Sequence, residues 1–145
     1  YQSLLALAND HPLTRETWIT PCHLAGETLI TYPVDRARLD IYHHFLDPAG
    51  VEPAARRTAE LTLVILQLVA SRRGVAALPN WVLADYLAHD YVTARPLSTN
   101  GGKDGLWCTL YAAVRANEQH TPYIQDFIET ARTVSFRTLS EIQSA

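Results

Sequence analysis

The sequence contains no methionine and only two cysteines, Cys22 and Cys108, and each shortage narrows what the chain can be. A complete translated chain starts with Met, so one that begins Tyr1-Gln2-Ser3 inside an apolar run is expected to be a piece of something longer. The cysteines lie far apart with no Cys-x-x-Cys pairing, which fits reduced thiols in packing roles better than a disulfide framework or a zinc site. No run of Lys or Arg exceeds two and the formal net charge is −3, so the basic footprint that nucleic acid requires is absent. Any DNA contact has to be made elsewhere. The chain also lacks an apolar run of about 18 residues and a basic-then-apolar leader, so neither a membrane span nor export is expected, and the cytoplasm is the expected compartment.

Chemical motifs are scarce as well. There is no Gly-x-Ser-x-Gly elbow, and Gly101-Gly102-Lys103 has no helical run behind it to cradle a phosphate. None of the six histidines forms a His-x-x-x-His pair, and His43 and His44, adjacent on a helix, point about 100° apart and cannot share an ion. No metal, cofactor or catalytic set is implied, and an enzyme is not expected.

What is present is apolar and periodic. With 48% apolar residues in 145, the chain can bury a core of its own as one domain, with room for part of a second. Residues 1–8 ("YQSLLALA") read as a strand ended by the turn residues Asn9, Asp10, His11 and Pro12. Thr20-Pro21 opens a short helix ending near Gly26, and residues 27–32 form a second strand. A helix is expected over 36–46, an extended piece over 55–58, and an apolar helix over 61–73 closed by Gly74 at the C′ position. Residues 75–78 suit a central parallel strand, Pro79 opens a helix through 87, and residues 91–97 alternate as a strand. After the Gly-rich segment 98–105, residues 106–114 read as a strand. Thr121-Pro122 then opens a last helix with one apolar stripe of Tyr123, Ile124, Phe127, Ile128, Ala131 and Val134. Strands separated by helices argue for an α/β class with βαβ units and a parallel-rich sheet.

The stretch "TYPVDRARLD" poses the functional question. With Asp35 as N-cap of the 36–46 helix, Arg36 and Arg38 fall in the first turn, where the helix dipole disfavours cations by about 0.3–1 kcal/mol each. Ligands in open α/β sheets bind beyond the carboxyl ends of strands, and this corner is such a place. A bound carboxylate would offset the electrostatic cost. The alternative is that the arginines are solvated, or that Arg36 meets Asp40 at i,i+4.

"HPL" after a strand and "GVAALP" after an apolar helix resemble the effector-binding region of LysR-type transcriptional regulators. "TYPVDRARLDIYHHFLDPAGV" and "GLWCTLYAAVRANEQ" are similar to the branch that activates methionine biosynthesis in response to homocysteine. The resemblance implies a Rossmann-like lobe of the periplasmic-binding-protein type II kind. Its parts are residues 1–10 as a hinge strand, 11–105 as the second effector-binding subdomain, 106–120 as the returning hinge strand, and 121–145 as a C-terminal helix packed on a first subdomain not in this chain. It implies a homocysteine-like effector bound at Tyr32, Pro33, Val34, Asp35, Arg36, Arg38, Leu78 and Pro79. It also implies a homodimer or homotetramer, to which the exposed side of the 36–46 helix contributes, and DNA binding through a winged helix-turn-helix outside this chain. The rival reading is a lobe of a periplasmic-type solute-binding protein that takes a small amino acid or anion.

Overall fold

The computed structural model describes residues 1–102 and 104–139; Lys103 and residues 140–145, the end of the expected C-terminal unit, lie outside the described residues. The chain is built around its first strand, β1 (Gln2–Leu7). Leu5 and Leu7 are fully buried on one face and Ala6 on the other, which is why "SLLAL" is apolar without a polar alternation. On one edge β1 pairs with β4 (Ala76–Pro79), and on the other with β5 (Thr93–Pro96) and then β6 (Leu106–Trp107), all antiparallel.

β2 (Thr28–Thr31) and β3 (Ala55–Thr58) pair in parallel. They join the rest through a parallel bridge between Leu29 and Val75, with Ile30 N–H donating to Val75 O at 2.8 Å and Val75 N–H to Thr28 O at 2.9 Å. The sheet therefore runs β3-β2-β4-β1-β5, extended past β5 by a parallel bridge of Ile19 to Leu97. The α/β class is as expected, and β4 is parallel to β2 but antiparallel to β1. A strand buried on both faces reads the same in either direction, so the apolar run at 75–78 carried no information about orientation.

Side-chain alternation divides the core in two. Leu29, Val75, Leu5 and Leu7 face Ile41, Tyr42, Phe45 and Leu46. Ile30, Ala76 and Leu78 face α1 (Thr62–Ala70) and α2 (Asn80–Ala88) through Ile65, Leu66, Val69 and Leu83. Each of these large buried side chains contributes on the order of 1.5–3 kcal/mol through removal from water.

Three expected elements differ. First, no α-helix spans 36–46: Arg36–Arg38 form one 3-10 turn, Leu39 is extended, and Ile41–Leu46 form a π-helix with Asp40 as N-cap. Ile41, Tyr42, Phe45 and Leu46 are nonetheless all buried and pack in the core. Second, Gly74 is not the C′ residue of α1. Arg72 is, at φ 55°, with its N–H on Val69 O and the N–H of Arg73 on Leu68 O, a Schellman closure. Asp90, at φ 52°, does the same for α2. Gly74, at φ 151°, is required for another reason: a Cβ there would stand 2.4 Å from Thr28 O. Third, the strand expected over 106–114 is present only as β6, Leu106–Trp107, followed by Cys108 N–H donating to Tyr1 O and the Tyr1 amino group donating to Cys108 O, both at 2.9 Å. Leu110 and Tyr111 beyond it are exposed, as is every apolar residue of α3 (Pro122–Thr138) that is not half-buried.

Candidate functional site

β3, β2 and β4 run parallel, so their carboxyl ends, Thr58, Thr31 and Pro79, share one edge of the sheet. β1 is antiparallel and starts there, with Ser3 opposite Pro79. The N-termini of α1 and α2 also open onto this edge, and neither has a side-chain cap: the N-cap residues are Leu61 and Pro79. Their first-turn N–H groups stay available as donors at the positive ends of two helices.

The sequence-derived residues gather at this edge with different roles. Tyr32 is half-buried, and its hydroxyl lies 2.6 Å from Thr62 Oγ1 in the first turn of α1, which ties the β2 corner to that helix. Val34 N–H donates to Tyr32 O at 2.9 Å, a tight turn that leaves Pro33, Val34 and Asp35 exposed. Pro79 is half-buried on the same edge. Leu78 is 1% exposed and packs beneath the edge in the core, so it supports the corner without reaching solvent.

The two arginines part company. Arg36 is turned toward the far end of the π-helix: Nε donates to Asp47 Oδ1 at 3.2 Å, Nη1 and Nη2 to the Glu52 carboxylate at 2.8 and 2.6 Å, and Nη2 also pairs with Asp47. Its guanidinium stacks 4.2 Å from the centroid of the Tyr42 ring, with Arg56 on the same ring at 5.1 Å. Its side chain therefore has little left to offer an effector carboxylate, and Asp40 is not its partner. The hydrogen bonds it donates to Glu52 and Asp47 hold it charged, raising its pKa above the usual value. Arg38 is exposed, and its guanidinium has no ion pair or hydrogen bond among the described residues. The dipole conflict read from the sequence does not arise, because the helix those arginines were to open does not exist.

Polar groups the sequence reading passed over are also here. Thr31, at the carboxyl end of β2, is 6% exposed and its Oγ1 has no hydrogen-bond partner among the described residues; nor has the indole N–H of Trp81 in the first turn of α2. Asn80 is buried beside it at 4%. A buried polar atom left without a partner costs about 1–3 kcal/mol, so two of them on one edge need an account. The available signal was a polar residue at the end of the β-branched strand β2 and polar groups directly after β4.

Among the described residues no group of three His, Cys, Asp or Glu side chains could hold an ion. Cys108 is half-buried, and burial, followed by a hydrogen bond to Asp40, pushes its thiol up to about 11, far from an activated nucleophile.

The LysR substrate binding domain model matches residues 1–135. The chain is 46% identical over 145 residues to the HTH-type transcriptional regulator MetR of Escherichia coli, covering all of this chain and 44% of that one. It is 38% identical over 139 residues to MetR of Haemophilus influenzae, covering 96% of this chain and 43% of the relative. The chain thus spans less than half the length of these curated relatives. Among solved structures, the regulatory domain of MetR, a LysR family regulator from N. meningitidis, superimposes with a TM-score of 0.90 at 40% identity, covering 100% of this chain and 67% of that one. The BenM effector binding domain with its effector benzoate has a TM-score of 0.59 at 16% identity, a likeness of fold alone.

Proposed function

This chain belongs to the LysR substrate-binding-domain family, and from that premise we propose that it is the second lobe of the effector-binding region of a transcriptional regulator of methionine biosynthesis, sensing a homocysteine-like amino acid. The observation that carries the reading is 46% identity along the whole chain to the HTH-type transcriptional regulator MetR of Escherichia coli. The relatives are transcriptional regulators, which favours this over a solute-binding protein lobe of the same architecture.

The effector's carboxylate meets the uncapped first turns of α1 and α2 and the free guanidinium of Arg38, while Thr31 Oγ1 and the Trp81 indole N–H supply neutral hydrogen bonds. Tyr32, Pro33, Val34 and Pro79 form the wall, and Asp35 sits within reach of an amino group. Arg36 holds the corner in shape. The other wall belongs to a first subdomain outside this chain, on which α3 and the exposed Leu110 and Tyr111 pack. Effector binding shifts the balance between open and closed lobes only through its differential affinity for the two. The regulator is an oligomer, and we place a contact on α1: Leu61, Leu63 and Val64 are exposed by 64, 61 and 43%. The 36–46 segment, with its apolar residues buried, presents His43, His44 and Asp47 instead.

The test is a homocysteine titration by calorimetry on the protein extended upstream to include the first subdomain, with methionine and sulfate as controls. Saturable binding is expected, weakened about tenfold by Thr31→Val or Arg38→Ala, each of which removes one direct hydrogen bond or charge contact. Arg36→Ala should leave the affinity within about twofold. A folded protein that binds neither homocysteine nor methionine sinks the sensor reading. Binding that loses as much with Arg36→Ala as with Arg38→Ala sinks the assignment of roles.

A further inference from the structure

A second polar concavity lies at the opposite end of the sheet, where β2 and β4 begin and β1 ends. Its walls include His11, Glu27, Thr28, Arg57, Arg72 and Arg73, around a cavity of about 280 Å3. Guanidiniums gathered around so small a space repel one another unless countercharge is present. Against the three guanidiniums stand two carboxylates, Asp10 and Glu27, each already engaged. Asp10 is committed to Arg72, whose Nε donates to Oδ1 at 2.6 Å and whose Nη2 reaches Asp10 O at 3.3 Å. Glu27 is committed to His11: the Leu13 N–H donates to His11 Nδ1 at 3.2 Å, which leaves Nε2 as the ring's donor toward Glu27 Oε2 at 3.3 Å. Arg57 and Arg73 have neither an ion pair nor a side-chain hydrogen bond among the described residues.

The backbone delivers these arginines to one place by specific means. The left-handed Arg72 turns the chain at the end of α1, and Gly74 lets it lie against Thr28 O, so Arg72 and Arg73 are carried to the start of β2. In the β2–β3 register Arg57 stands opposite Ile30, whose side chain packs against α1, so Arg57 projects on the same face as the end of that helix. Cations near a helix C-terminus complement its dipole, and charge on an edge strand discourages strand addition. Taken singly, those effects suit Arg72 and Arg73 at the helix end and Arg56 and Arg57 on the edge strand. They give no reason for Arg57 and Arg73 to converge on a walled cavity, since the carbonyls of Leu68 and Val69 are already taken by backbone N–H groups.

We propose that this concavity binds a small oxyanion of the phosphate or sulfate class, held by the guanidiniums of Arg57 and Arg73 with the Thr28 hydroxyl as a neutral donor. The site is independent of the effector corner, which lies at the other end of the same strands. The experiment is calorimetric titration of the full-length protein with inorganic phosphate, and separately sulfate, in chloride buffer held at constant ionic strength. Saturable binding of at least one oxyanion is expected, weakened at least tenfold in the double variant Arg57→Gln with Arg73→Gln and unchanged in Arg115→Gln, an exposed arginine paired with Glu118 and outside both sites. Both arginines are exposed, so the variant should keep its melting temperature in chloride; were it to unfold, the edge-strand change Arg57→Gln alone reads the same loss in smaller measure. Heat no larger than that from added chloride, or oxyanion affinity untouched by the arginine changes, overturns the proposal.

Discussion

Cys108 illustrates how much a residue's chemistry depends on neighbours remote in sequence. Burial and the hydrogen bond to Asp40 keep its thiol protonated up to about pH 11, and only the thiolate is nucleophilic. Cys22 is exposed on a 3-10 turn. Alkylation with iodoacetamide at pH 8, followed by mass spectrometry, should therefore label Cys22 first. Cys108 labelling should rise steeply only as the pH approaches about 11, and equal labelling at pH 8 would contradict the buried hydrogen-bonded thiol. Arg36 and Arg38 make the same point. Two arginines separated by one alanine look equivalent in the sequence, yet one is consumed by Asp47 and Glu52 while the other has no ion pair among the described residues.

At the scale of elements, apolar spacing was legible and hydrogen-bond pattern was not. The buried set Ile41, Tyr42, Phe45 and Leu46 could be read as a helix, but that spacing shares one face in α and in π geometry alike and so did not choose between them. Helix ends behaved likewise. Gly74 looks like a stop signal, and the stops themselves are Arg72 and Asp90, which adopt the left-handed conformation at some cost because the Schellman bonds and neighbouring contacts fix it. In the second, the C″ residue Tyr91 packs on Tyr86 with ring centroids 5.9 Å apart. Gly74 instead guards the seam between β2 and β4. Gly74→Ala should lower the unfolding free energy by about 2–3 kcal/mol in urea titrations, since it adds a Cβ against Thr28 O and forces a non-glycine residue to φ 151°. A loss below about 0.5 kcal/mol would mean that the strands move apart more easily than their bonds suggest.

The whole molecule presents two unlike ends and one apolar flank. One sheet end collects helix N-termini and unpartnered polar atoms; the other collects guanidiniums. Between them α1 exposes Leu61, Leu63 and Val64 beside the edge strand β3, whose four residues are all exposed. If α1 is the contact between regulators, Leu61→Asp with Leu63→Asp should convert the full-length protein to a smaller species in analytical ultracentrifugation while leaving its melting temperature within a few degrees, because neither side chain is in the core. An unchanged oligomer would move the contact elsewhere, to α3 or to parts outside this chain.

The sequence by itself determined the α/β class, the strand and helix order, the membership that the family match over residues 1–135 records, and the location of the corner at Tyr32 to Asp35. These follow from local rules: apolar period, turn residues and motif spacing act within a few positions of one another. The tertiary structure alone decided that β1 runs antiparallel through the middle of the sheet, that Arg36 is a brace and Arg38 is free, and that Arg57 and Arg73 share a cavity with Thr28. Each of those depends on register and side-chain reach between segments distant along the chain, and no local pattern encodes them.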